Sequence, residues 1–158
     1  MTYPPVLDPC CGTKRFYFQP DSPAVLFGDI RQVDEFMCDG RALEVKPDVK
    51  LDFTQMPFPD STFSLVIFDP PHFARAGEKS IMGKVYGRLP KKEPLTFLRK
   101  GFDECWRVLK PNGTLIFKWS EYSFGLKPVL EALGRTLLCG NHLPGKHGYW
   151  LVFFKEAA

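Results

Sequence analysis

Apolar residues fall along this chain in short runs separated by proline- and glycine-rich punctuation, a pattern that predicts alternating strands and helices. The clearest run lies in Ser64 to Phe73, SLVIFDPPHF. Leu65, Val66, Ile67 and Phe68 are continuously apolar, with β-branched and aromatic members, as in a strand buried on both faces. Shorter strand signals occur at Val6-Leu7 (ending in Asp8-Pro9), Ala24 to Ile30, Val49 to Phe53, Gly113 to Ser120, Thr136 to His142 and Tyr149 to Lys155. Leu95, Leu98, Phe102, Cys105, Trp106 and Leu109 recur at helical spacing, and Lys110-Pro111-Asn112-Gly113 ends that helix. A second helix is predicted from Phe124 to Leu133, with Gly134 as its stop. A short helix is predicted around Gln32 to Phe36, before a turn at Asp39-Gly40. After Gly12, Pro20 and Pro23 limit any helix to one or two turns within Thr13 to Phe18. Phe16, Tyr17 and Phe18 are then expected to cover the sheet edge.

Strands that alternate with helices indicate an α/β fold with a mostly parallel sheet of about seven strands, closed by a C-terminal antiparallel hairpin. At 158 residues, 44% hydrophobic and 25% charged, the chain fits one soluble domain spanning 1–158. No apolar run approaches a membrane span, and MTYPPVLDPCC lacks the form of a secretory signal. The five cysteines are odd in number and fit neither a disulfide framework nor a metal clamp, so reduced thiols, a cytoplasmic location and no metal are expected. Net charge is +3, but 74–100 holds eight basic residues against Glu78 and Glu93, giving +6 there and −3 elsewhere. Such asymmetry points to a partner if the charges share a face.

Open α/β sheets bind ligands at the carboxyl ends of their strands. Asp8, Asp29, Asp52 and Asp69 each sit at such an end. Asp29 suits a pair of ribose hydroxyls, since a carboxylate is an acceptor only. Beyond Asp69, two prolines fix φ and remove two N–H donors, leaving a stiff corner that presents acceptors. A carboxylate and carbonyls there suit a planar amino group that donates hydrogen bonds. Cys10, Cys11 and Gly12 read as a small-residue turn without thiol chemistry.

Asp69-Pro70-Pro71 followed by His72-Phe73 resembles the (Asp/Asn)-Pro-Pro-(aromatic) motif of the S-adenosylmethionine-dependent amino-methyltransferases, which include adenine-N6 and cytosine-N4 enzymes. Three further segments resemble that family in the right order: VLDPCCG, the stretch from Asp52 to Phe63, and CWRVLKPNGTLIFKWS. VLDPCCG departs from the usual loop in keeping only Gly12 of three glycines. The resemblance implies a Rossmann-like methyltransferase fold with a shortened first crossover helix, and S-adenosylmethionine as cofactor. Asp8, Pro9, Cys10, Cys11 and Gly12 would cradle its methionine part, Asp29 and Ile30 its ribose, and Asp52 and Phe53 its adenine, with Asp69 also at the cofactor. Asp69, Pro70, Pro71, His72 and Phe73 would form the catalytic corner, with His72 and Phe73 flanking a flipped-out base. A basic insertion at about 74–94 would supply Arg75, Lys79, Lys84 and Arg88 as phosphate contacts. Lys118 and Trp119 would lie on the acceptor rim, making DNA or RNA the expected partner. His142, Lys146 and His147 read more simply as a solvated loop. The same motif type also occurs in enzymes acting on protein amides, so a protein amide or small amine is an alternative acceptor. A non-catalytic cofactor- or nucleic-acid-binding module is the alternative of another class. The sequence leaves the oligomeric state open.

Overall fold

The computed structural model describes residues 2–77, 80–141 and 148–157. In chain order its elements are β1 (Val6–Asp8), β2 (Val25–Asp29), β3 (Val33–Phe36), β4 (Ala42–Val45), β5 (Val49–Lys50), β6 (Phe63–Phe68), α1 (Ile81–Tyr86), α2 (Pro94–Val108), β7 (Leu109–Trp119), α3 (Leu126–Leu133), β8 (Cys139–Gly140) and β9 (Tyr149–Lys155). Seven strands form one sheet in the order β5-β2-β1-β6-β7-β9-β8. The first five of these are parallel, and β9 runs antiparallel to both neighbours. The chain builds outward from β1 to β5, then returns to β6 on the other side of β1. That reversal makes the β1/β6 boundary the topological switch point, where a crevice opens at the strands' carboxyl ends.

Side-chain alternation sets the layers. Val66 and Phe68 of β6, Leu115, Phe117 and Trp119 of β7, and Leu151 and Phe153 of β9 are buried. They join Leu98, Phe102, Cys105 and Val108 of α2, and Val129 and Leu133 of α3, in one core. The opposite face has no helix between β1 and β2. There the loop after Gly12 makes turns without completing a helix. Its aromatics do the covering: Phe16 and Tyr17 stack 4.6 Å apart, Tyr17 meets Phe27 edge-on at 4.9 Å, and Phe16 meets Trp150 at 5.2 Å. Phe18, expected to help, is fully exposed.

Residues 32–36 form no helix. Val33–Phe36 pairs antiparallel with Ala42–Val45 about the Asp39-Gly40 turn, where Gly40 adopts φ +81. Alternation wins because Leu43 and Val45 are both buried, and Leu43 packs with Met37 and with Val85 of α1 in a small separate core. The strand expected over Val49 to Phe53 is only two residues long, and the one expected over Thr136 to His142 is Cys139–Gly140 among the described residues. Lys110 to Gly113 loops out of β7, shifting its register against β6 between Phe63 and Leu65.

Gly101 of α2 sits where an added Cβ would lie 2.5 Å from Phe53 Cδ2 and 3.0 Å from Phe68 Cζ. We expect Gly101→Ala to lose about 1–3 kcal/mol by overpacking, despite alanine's ~1 kcal/mol better helix propensity. Urea unfolding measures this; a variant as stable as the parent would contradict the close packing of α2 on Phe53.

Candidate active site

Parallel pairing brings four strand ends level. Val6 and Leu7 pair with Leu65 and Val66, and Ile67 and Phe68 pair with Ile116 and Phe117. One step further along both strands stand Asp69 and Lys118, and Lys118 Nζ donates to Asp69 Oδ2 at 2.9 Å. His72 Nε2 stands 3.1 Å from Asp69 Oδ1, with the ring turned so that no hydrogen bond closes. Asp69 Oδ1 and His72 Nδ1 are thus two of the three buried side-chain polar atoms without a hydrogen-bond partner among the described residues. Buried acceptors are normally satisfied, so an orphan at a strand tip marks a place where a ligand donor belongs.

Two cavities meet at this corner. The larger, about 480 Å³, is lined by Asp29, Ile30, Arg31, Asp52, Phe53 and Phe97 on the sheet side. The hairpin and α1 roof it through Glu35, Leu43, Gly83 and Lys84. Its size is that of a small-molecule site. The smaller, about 220 Å³, lies between Cys10 to Phe16 on one side and Pro70, His72 and Lys118 on the other. Cys10, Arg31, Asp69 and Tyr86 line both.

Asp29 is buried, and both its oxygens are engaged. Oδ1 accepts from Arg31 N (2.8 Å) and Nε (3.1 Å), and Oδ2 from Gly12 N (2.9 Å) and Arg31 Nη2 (3.3 Å). A ribose there must displace the Arg31 guanidinium, whose side chain is 26% exposed. Arg31 also donates to the Lys84 carbonyl of α1 at 2.9 Å. Gly12 carries the loop through φ +52, a conformation that favours glycine, and so brings its N–H to Asp29. Asp52 accepts from Thr54 N and Oγ1 through Oδ1 alone. Ile30 is 57% exposed, an aliphatic surface beside these acceptors. Ribose acceptors, an apolar ledge and a further carboxylate suit a nucleoside.

Asp8 is fully buried. It accepts from Cys10 N and from Tyr17 Oη at 2.9 Å, which ties the aromatic loop to the end of β1. Burial raises its carboxyl to about 7, outweighing those two hydrogen bonds. Burial likewise pushes the Cys11 thiol up to about 12 and raises Cys10, so neither is a ready nucleophile, as expected of a small-residue turn.

Several expected site residues lie elsewhere. Trp119 is fully buried, donates to the Phe124 carbonyl at 3.1 Å, and is met edge-on by the His72 ring at 5.0 Å; it is a support rather than an acceptor contact. His72 is itself buried, and it contributes to the wall of the smaller cavity. Phe73 packs on Tyr122 at 4.7 Å and, with exposed Arg75, lines a separate groove beside the corner. Among its described residues the basic insertion forms no single face: Lys84 pairs with Glu35 at 2.9 Å, and Lys84 and Arg88 line the larger cavity. Lys79, His142, Lys146 and His147 lie outside the described residues. No group of metal-ligating residues occurs among the described residues, and no helix is long and apolar enough to cross a membrane. Sequence reasoning missed Arg31, Lys14, Arg15 and Tyr86. Only the Lys14-Arg15 pair, just past Gly12-Thr13, signalled itself along the chain.

No family model matches the chain, and no curated protein matches it. Solved structures do. The PH0226 protein of Pyrococcus horikoshii is 20% identical over 96% of this chain and 81% of its own, with TM-score 0.59. A TehB-like SAM-dependent methyltransferase from Corynebacterium glutamicum is 16% identical over 96% and 79%, with TM-score 0.57. The N-methyltransferase NodS from Bradyrhizobium japonicum is 15% identical over 96% and 85%, with TM-score 0.59. These likenesses show the fold: the α/β, Rossmann-like methyltransferase fold.

The raised Asp8 carboxyl makes stability fall with pH. Between the unfolded value of 3.8 and about 7 the folded chain keeps a proton that the unfolded chain has released. Stability is therefore full below about pH 4 and declines as pH rises toward 7, at up to about 1.4 kcal/mol per pH unit from this group. Asp8→Asn should flatten that part of the profile in urea unfolding from pH 4 to 8; an unchanged slope would contradict the assignment.

Proposed function

We propose that this protein is an S-adenosylmethionine-dependent methyltransferase that modifies an exocyclic amino group of a nucleic-acid base. The observation that carries the reading is the meeting of two cavities at Asp69. A donor in the larger cavity and an acceptor in the smaller one would face each other across one carboxylate.

The larger cavity fits the donor by its donor and acceptor set. Asp29 matches a ribose diol once Arg31 yields, Ile30 and Phe53 match the faces of an adenine, and Asp52 matches its amino group. S-adenosylmethionine supplies a methyl group on a sulfonium that is already activated for displacement. What remains for the protein is alignment, which contributes up to roughly 7–11 kcal/mol in favourable cases.

Asp69 Oδ1 and the Pro70 carbonyl accept the two hydrogens of the amine. That keeps its lone pair out of the ring and aimed at the methyl carbon. Lys118 holds Oδ2, so the carboxylate is fixed before the acceptor arrives. As the amine took up the methyl group its nitrogen would become cationic, and Asp69 would receive one of its protons. A charge that develops beside a preorganised carboxylate is stabilised where water is excluded. Trp119 and His72 act behind this corner and keep it rigid.

Support for a nucleic-acid acceptor comes from the rim. Tyr122 and Tyr86 are 58% and 40% exposed beside Phe73 and Arg75, which suits stacking of unpaired bases with a cation alongside. The small size of the acceptor cavity supports a second reading, an isolated small amine. Tritiated cofactor offered to RNA, single- and double-stranded DNA, protein extract and small amines separates the two.

Asp69→Ala should lower methyl transfer by at least ~100-fold. Calorimetry should show donor affinity within a few-fold of the parent; full activity in this variant would exclude the role. Lys118→Met should lower turnover by ~10- to 100-fold with donor affinity again preserved. Unaltered turnover would mean that the lysine does not position Asp69.

A further inference from the structure

The fold omits the element that ordinarily faces an anion at this place. In Rossmann-like folds the loop after the first strand leads into a helix whose N-terminal N–H groups and dipole hold negative charge. Here no helix follows β1, and the segment from Gly12 to Ala24 makes only turns. Two cations, Lys14 and Arg15, follow the loop's one glycine after Thr13. Lys14 is held in a tight turn, at φ 54, with its N–H bonded to the Cys11 carbonyl at 2.9 Å. Its Nζ lies 4.0 Å from the centre of the Phe27 ring. Arg15 reaches Tyr86 Oη at 3.4 Å. Neither has a carboxylate partner among the described residues.

Both line the smaller cavity, together with Arg31 and Lys118. Four cations there face a single acidic liner, Asp69. Arg31 is committed to Asp29 and Lys118 to Asp69, so the uncompensated charge is that of Lys14 and Arg15. The loop that carries them is anchored by the Tyr17–Asp8 hydrogen bond and by the Phe16 and Tyr17 ring contacts, which fixes the cations before any ligand binds.

We infer that Lys14 and Arg15 form an anion clamp at the reacting centre, holding a carboxylate or phosphate by side chains where the missing helix would have used its N-terminus. The proposal deepens the methyltransferase reading and rests on it for the anion's place in the reaction. Two sources share the chemistry: the carboxylate of the donor's methionine part, and a phosphate on the acceptor.

Calorimetry on the full chain tests it with three probes: S-adenosylhomocysteine, 5′-methylthioadenosine, which lacks the amino-acid tail, and inorganic phosphate. The variants are Lys14→Ala with Arg15→Ala, and the charge-preserving pair Lys14→Arg with Arg15→Lys. The expected result is a tenfold or greater loss of S-adenosylhomocysteine or phosphate affinity in the alanine pair, largely restored in the charge-preserving pair. Methylthioadenosine should stay within twofold. Loss confined to S-adenosylhomocysteine identifies the donor carboxylate, and loss confined to phosphate identifies the acceptor. The clamp is overturned if both anionic probes bind the alanine pair as tightly as the parent, if the parent binds neither, or if methylthioadenosine weakens in step with S-adenosylhomocysteine. A parent that binds phosphate but neither nucleoside would sink the donor assignment while leaving the phosphate comparison to decide the clamp.

Discussion

The Asp69 carboxylate lies where two parallel strands run out together, and its ion pair with Lys118 is the contact on which the site depends. β6 and β7 keep one register from Leu65↔Thr114 to Phe68↔Phe117, so the next residues of each strand must stand side by side. A carboxylate with 18% of its side chain exposed is costly unless paired. Lys118 supplies that partner on one oxygen and leaves the other without a hydrogen bond. The two prolines then forbid the backbone from relaxing toward it. The corner is stiff, and its second oxygen faces His72 Nε2 at 3.1 Å.

Around this corner the fold is pared down. α2 and α3 cover one face of the sheet with a continuous core, while the other face relies on a short aromatic loop. The buried Asp8 carboxyl is part of that arrangement, because its hydrogen bond from Tyr17 holds the loop in place. The hairpin and α1 form a second, smaller unit that packs through Val85, Leu43 and Met37 and lines the larger cavity through Glu35, Leu43, Gly83 and Lys84. Arg31 joins the halves by binding Asp29 on the sheet and the Lys84 carbonyl on α1. Asp29 and the position of α1 are therefore linked through one side chain.

The strand ends were legible in the chain because each combines a short apolar run with an acid and a turn. Asp8, Asp29, Asp52 and Asp69 all reach the same edge of the sheet, as the parallel arrangement requires. What escaped the linear reading depends on pairing across the fold. The Lys118–Asp69 contact follows from strand register, which no local pattern encodes. Residues 32–36 misled because the stretch is polar and mixed with no clean period, and only Leu43 and Val45 across the turn make the hairpin the better burial. Trp119 was placed on the rim because it ends a strand, whereas the parity of β7 turns it into the core. The charge of the basic segment was counted along the chain, which points to a partner only if the charges share a face; Lys84 is instead paired with Glu35.

On the proposed reading a nucleoside donor binds across the tips of β2 and β5, on one side of Asp69. Hydrogen exchange with and without S-adenosylhomocysteine tests it most directly. Slower exchange is expected at Asp29 to Arg31, at Asp52 to Phe53, and along α1 from Gly83 to Gly87, with α3 and β9 unchanged. Protection confined to other segments, or none at saturating ligand, would contradict it.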